Sequence, residues 1–210
     1  MAKVLKVGAE GCLREAVAVL KGGGLVVYPS DTVYGLGAAA SDSRAAARLF
    51  VVKGRPSQKA VSLLLADAED MPPLCAEVPS VARRLAERFW PGPFTLVLRR
   101  SPEFHSEALG GDTLALRVPD HPFLREMIRR LGEPITGTSA NRSGQPSCRT
   151  AREAQRELGD TVDLIIDGGP SRAGPESTVV DITAESPKLV REGAIGRAEM
   201  EQVVGREVRA

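Results

Sequence analysis

The sequence predicts an α/β fold, and two observations carry that expectation. Apolar runs of strand length, at 25–28, 61–65, 94–98, 114–118, 164–166 and 179–182, alternate with stretches of helical periodicity at 13–20, 43–52, 81–88, 122–131 and 151–158. Glycine and proline, 21 and 15 residues, gather between them at 29–37, 53–56, 91–93, 138–146 and 168–175. An open α/β sheet turns such loops toward a ligand, so these are read as the walls of one cleft.

Two helices carry start signals. Asp120 is placed to cap a helix whose early turn holds Pro122, and Thr150 with Glu153 matches a capping box ahead of 151–158. A short strand is expected just before Thr138. No internal repeat, low-complexity segment or Gly/Ser linker divides the 210 residues, a length suited to one domain, expected here over residues 1–210.

Composition narrows the function. No stretch approaches the roughly 18 apolar residues of a membrane span, and the first six residues lack a secretory apolar run, so a cytoplasmic protein without membrane contact is expected. Cys12, Cys75 and Cys148 are odd in number and outside any CxxC spacing, which suggests neither disulfides nor a zinc site. A net charge of +1 gives no global argument for nucleic acid. Of the 28 basic residues only six are lysine, and a minority of the arginines would suit bidentate phosphate or carboxylate clamps.

Several familiar motifs fail. Gly35-Leu-Gly37-Ala-Ala-Ala40 has the outline of a dinucleotide fingerprint, but its glycines come six residues after Pro29 and no acid follows about 20 positions later. Gly169 to Gly174 lacks the Lys-Ser/Thr of a phosphate loop. His105 and His121 sit in no catalytic signature, and there is no GxSxG elbow. What remains is an inventory of hydroxyls, amides and cations. Lys53-Gly54-Arg55-Pro56, with Lys59 behind it, pairs a point charge with a planar fork as a triphosphate would require, although alone it reads as a helix C-terminal turn. The loop Thr138-Ser139-Ala140-Asn141-Arg142-Ser143-Gly144 can present amides and hydroxyls to anionic oxygens, or merely satisfy its own backbone.

Taken in order these segments resemble one family, the YrdC-like (TsaC) threonylcarbamoyl-AMP synthases, in its single-domain form. The resemblance runs from Gly23-Gly24-Leu25-Val26-Val27-Tyr28-Pro29-Ser30-Asp31-Thr32-Val33-Tyr34-Gly35-Leu36-Gly37 through Lys53-Gly54-Arg55-Pro56, Trp90-Pro91-Gly92-Pro93-Phe94-Thr95 and Leu114-Ala115-Leu116-Arg117-Val118-Pro119. It continues with Thr138-Ser139-Ala140-Asn141, Ser143-Gly144, Ile166-Asp167-Gly168-Gly169, Ser177-Thr178-Val179-Val180-Asp181 and Leu189-Val190-Arg191-Glu192-Gly193. Collinear motifs over nearly the whole chain are far more specific than any one of them.

The family implies an open, twisted mixed sheet with flanking helices around a deep cationic cleft. It implies a nucleotidyltransferase that joins L-threonine, bicarbonate and ATP, with Mg2+ accompanying the nucleotide, into threonylcarbamoyl-AMP and pyrophosphate. Its product would pass to a threonylcarbamoyl-transfer complex that modifies tRNA beside the anticodon, and direct binding of tRNA or double-stranded RNA is left open. By resemblance Thr32 and Ser177 bond threonine and Arg117 clamps its carboxylate; Lys53 and Arg55 are catalytic cations on the phosphates. Lys59, Thr113, Gly137, Ser139, Ser147 and Arg191 join Arg55 in the ATP site, with Asn141 in the same shell.

The chain departs from the family pattern at Ser30, where threonine is usual, and at Lys59-Ala60-Val61 and Leu64, where many relatives have Asn-Pro-Leu and a histidine that contacts threonine. The short relatives also lack that histidine, and no additional C-terminal domain is expected. The rival reading is an RNA-binding paralogue similar to YciO, without robust synthase activity, but the motifs altered there are intact here. The related domain of hydrogenase-maturation carbamoyltransferases requires acylphosphatase-like and zinc-finger segments for which 210 residues leave no room.

Overall fold

The computed structural model describes residues 2–54, 61–104, 109, 111–171 and 174–209. Ten strands form one mixed sheet in the order β1-β8-β2-β3-β7-β4-β6-β5-β9-β10. They are β1 (Lys3–Lys6), β2 (Val26–Tyr28), β3 (Gly35–Gly37), β4 (Ser62–Leu64), β5 (Phe94–Arg99), β6 (Thr113–Arg117), β7 (Ile135–Ser139), β8 (Leu164–Asp167), β9 (Thr178–Asp181) and β10 (Lys188–Arg191). The helices are α1 (Cys12–Lys21), α2 (Ser43–Lys53), α3 (Ser80–Phe89), α4 (Pro122–Leu131), α5 (Ala151–Leu158) and α6 (Arg197–Val204). No helix among the described residues is long and apolar enough to cross a membrane.

Alternation along the strands gives the sheet two apolar faces. Val26 and Tyr28 join Cys12, Ala16 and Leu20 of α1 and Leu124, Met127, Ile128 and Leu131 of α4 in one cluster. Leu25 and Val27 enter the larger cluster on the other side, with α2, α3, α5 and α6. The helical residues recur at three- and four-residue intervals, which puts them on one stripe of each helix.

Helix ends follow from local chemistry. Asp42 accepts from the Ala45 amide at 2.9 Å and starts α2, and Gly54 at φ 58° stops it directly after Lys53. The Thr150–Glu153 capping box forms as expected, Thr150 Oγ1 accepting from the Glu153 amide at 3.2 Å. Thr150→Ala should therefore cost about 1 kcal/mol, read as a lowered denaturation midpoint with unchanged slope. Asp120 is not a cap. His121 takes that position in extended conformation, its Nδ1 accepting from the Leu124 amide at 3.4 Å, because Pro122 opens the helix immediately after it.

Five of these elements lie outside the periodic signals: β1, β3, β7, β10 and α6, of which β7 is the short strand expected before Thr138. β1 and β10 are edge strands whose residues are largely exposed, so they show no apolar run. β3 is Gly-Leu-Gly and pairs antiparallel with β2, setting Tyr28 opposite Gly35. This accounts for the false fingerprint. A Cβ at Gly35 would lie 2.2 Å from the Tyr28 ring, and one at Gly37 would lie 2.3 Å from the Thr136 carbonyl oxygen. The glycines seat a buried tyrosine and a neighbouring strand rather than a pyrophosphate.

Candidate active site

Three of the five loops expected to wall a cleft, 29–37, 53–56 through Lys53 and 138–146, line one cavity of about 570 Å3, whereas 91–93 and the described part of 168–175 contribute no lining residue. Ser30, Thr32 and Val33 enter it from the β2–β3 loop, Lys53 from the end of α2, and Leu64 and Arg117 from the ends of β4 and β6. Gly137, Ser139, Asn141, Ser143 and Gly144 line it along β7 and the loop beyond. Glu176, Ser177, Val190 and Arg191 close the far side. The turn at 91–93 lies behind this wall and acts through its backbone. Trp90 Nε1 donates to the Phe94 carbonyl at 2.7 Å and the Gly92 amide to the Val118 carbonyl at 2.9 Å, which fixes the Gly92 carbonyl under Arg117.

Arg117 is 8% exposed. Nε donates to Gly92 O at 2.9 Å, Nη1 to Thr32 Oγ1 at 3.2 Å and Nη2 to Asp31 Oδ1 at 2.7 Å. Each nitrogen thus has one anchor. A guanidinium has five N–H donors, so among the described residues one N–H on each Nη remains for a ligand, the number that a carboxylate takes.

The direction of the neighbouring hydroxyl bonds follows by elimination. Ser30 Oγ donates its single proton to Val33 O at 2.6 Å, so in its 3.2 Å contact with Thr32 the threonine is the donor. Thr32 Oγ1 accepts from Arg117 with one lone pair and has one left. It therefore offers an acceptor, suited to the N–H of an amine.

Lys53 is 3% exposed and ties the next loop at both ends. Its Nζ donates to Ser139 O at 2.5 Å and to Asn141 Oδ1 at 3.5 Å, and its carbonyl accepts from the Ser143 amide at 2.9 Å. The Asn141 amide donates to the carbonyls of Arg142 and Gln145 at 2.9 and 2.6 Å, so this side chain chiefly shapes the loop. Tyr34 joins that loop to the 168–169 turn. Its carbonyl accepts from the Ala140 amide at 2.8 Å, and its hydroxyl donates to Gly169 O at 2.6 Å while accepting from Gly168 N at 3.1 Å.

On the opposite wall Arg191 donates from Nε and Nη2 to Ser177 O, at 3.1 and 2.9 Å, from Nη2 to Ser177 Oγ at 3.1 Å, and pairs with Glu176. Ser177 Oγ lies 3.0 Å from Thr95 Oγ1, and Ser147 Oγ donates to Glu176 Oε1 at 2.9 Å. Two cations lining the cavity, Arg117 and Arg191, thus each face a carboxylate. The cysteines offer no thiolate there: burial pushes the Cys148 and Cys75 thiols up to about 11 and raises that of Cys12.

Most of the residues expected at the site meet here: Thr32, Lys53, Arg117, Gly137, Ser139, Asn141, Ser177 and Arg191 all line the cavity. Ser147 reaches it only through Glu176, and Thr113, at the exposed start of β6, is not among the lining residues. Arg55 and Lys59 lie outside the described residues. Sequence reasoning missed Asp31, Thr95 and Glu176, although each stands beside or within a quoted motif. Leu64, where relatives place histidine, is 6% exposed, sits in register beside Arg117 and packs where a Cβ on Gly137 would meet its Cγ at 2.8 Å.

Fold and site together define an open-sheet α/β protein whose cavity carries an anchored arginine fork at one wall and an arginine–serine cluster at the other. Residues 18–193 match the Sua5/YciO/YrdC family, described as telomere recombination. The chain belongs to that family. It is 42% identical to the threonylcarbamoyl-AMP synthase of Pyrococcus abyssi over 92% of its own length and 57% of that relative's, so it spans little more than half of the enzyme it matches. The structure of P. abyssi Sua5 complexed with L-threonine superposes with a TM-score of 0.93 at 40% identity, over all of this chain and 62% of that one. YciO of E. coli superposes at 0.86 with 28% identity, over 95% of this chain and 100% of that one.

Proposed function

We propose that the cavity is the active site of an L-threonylcarbamoyladenylate synthase acting on L-threonine, bicarbonate and MgATP. The observation that carries this reading is the pairing of Arg117, with one N–H left on each Nη, beside Thr32, whose remaining capacity is an acceptor. That combination matches an amino acid's carboxylate and amine. Leu64 then supplies an apolar wall next to the clamp, and Ser177 a hydroxyl from across the cavity.

In this reading the threonine amine attacks bicarbonate, giving the carbamate and water, and a carbamate oxygen attacks the α-phosphorus to expel pyrophosphate. Little covalent participation by the protein is needed; alignment and neutralisation of developing charge suffice. Lys53 and Arg191 line the cavity and are assigned that task, with Arg55 and Lys59 assigned by resemblance. By the same resemblance magnesium accompanies the nucleotide, as part of the substrate. The product would serve threonylcarbamoylation of tRNA.

The test is pyrophosphate release by purified protein with Mg2+, ATP, threonine and bicarbonate. Release should vanish when either threonine or bicarbonate is omitted. Release indifferent to both would sink this reading, and RNA binding with no release at all would replace it with the YciO-like one. Lys53→Met, which keeps the aliphatic stem but loses the ammonium on Ser139 O, should lower the rate about a hundredfold or more. A wild-type rate would remove Lys53 from the reaction.

A further inference from the structure

We infer that Asp31 is a positioning residue that sets Arg117 for the amino acid's carboxylate, an inference that rests on the proposed amino-acid site. Among the described ion pairs, Arg117–Asp31 alone is buried, with side chains 9% and 4% exposed, whereas every other partner is at least 28% exposed. Asp31 is not among the residues lining the cavity, although Ser30, Thr32 and Arg117 around it are.

A buried pair of this kind is poor value as a structural device. Desolvating two charges roughly cancels their attraction, and apolar residues of similar volume usually do as well. This pair is less favourable still, because Asp31 Oδ2 is buried and has no hydrogen-bond partner among the described residues. A two-oxygen grip would satisfy that atom by taking a second N–H from the guanidinium.

The single bond to Oδ1 leaves that N–H unspent. Asp31 thereby fixes Nη2 while Thr32 fixes Nη1 and Gly92 O fixes Nε, so the plane of the fork is set from behind. Without Asp31, Nη2 has no anchor among the described residues, and the fork must find its orientation when the ligand arrives.

Asp31→Asn tests this, since it keeps size and an Oδ1 acceptor but removes the charge. Threonine affinity, read by calorimetry and as KM, should weaken about tenfold or more while the KM for ATP stays within about twofold. Asp31→Glu, which restores the charge, should recover part of the loss. Unchanged or tighter threonine binding in Asp31→Asn, or equal losses for threonine and ATP, would overturn the inference.

If Asp31→Asn does not fold, Asp31→Glu is compared alone with the wild type. A selective threonine defect is then expected, and unaltered threonine binding overturns the assignment. Calorimetry needs no turnover, so the two readings can fail separately. Wild-type protein that binds threonine without releasing pyrophosphate would sink the synthase reading and leave Asp31 testable, and wild-type protein that binds no threonine would sink both.

Discussion

Arg117→Met is expected to lose threonine-dependent pyrophosphate release by about 10² to 10⁴-fold, the worth of two charge-assisted hydrogen bonds. It should also destabilise the fold by about 3–5 kcal/mol, because Asp31 would stay buried without a counter-charge. The two losses have different origins and can be separated. Adding Asp31→Leu to Arg117→Met removes the stranded carboxylate, so stability should return toward wild type in a denaturant titration while activity stays lost. A double variant as unstable as the single one would show that packing of the long arginine stem, not charge, holds this wall together.

The second large effect is expected at Gly193, just after β10. A Cβ there would lie 2.2 Å from the Glu176 carbonyl oxygen, 2.6 Å from Ser177 C and 2.7 Å from Thr178 N, all of them backbone. The contact is held shut by Gly193 N and Ile195 N donating to Thr178 Oγ1, at 2.9 and 3.0 Å. Gly193→Ala should therefore cost at least the about 1–3 kcal/mol of an overpacked site and lower the melting temperature by several degrees. Because the strain falls where Arg191, which the proposed function places at the nucleotide, grips Ser177, the KM for ATP should rise as well. A variant that melts and turns over like the wild type would mean the two segments separate without cost.

How much of this was legible depended on what each segment exposes. Strands buried on both faces announced themselves as apolar runs, whereas β1 and β10, at the sheet edges, carry lysine and arginine and gave no such signal. The site residues that line the cavity were named through motif order, but their relations were not. Nothing in Pro29-Ser30-Asp31-Thr32 says which of three polar side chains faces the cavity and which stands behind an arginine 86 positions away. Glu176 was passed over for a similar reason. Its meaning lies in Ser147 and Arg191, which the fold brings to it from 29 and 15 residues away. Thr113 shares a strand with Arg117 but lies at its far, exposed end, a separation that motif order does not show.

The seat of Tyr28 on Gly35 and Gly37 bears on how this chain can change over time. The ring lies so close that no side chain larger than hydrogen fits at either glycine while the ring stays in place. Shrinking Tyr28 first would open a void in the core beneath β3. Each single step is thus penalised by the state of the other position, and tolerated substitutions at 28 and 35 should occur only as a matched pair, while Gly37 stays fixed by the Thr136 backbone whatever occupies 28.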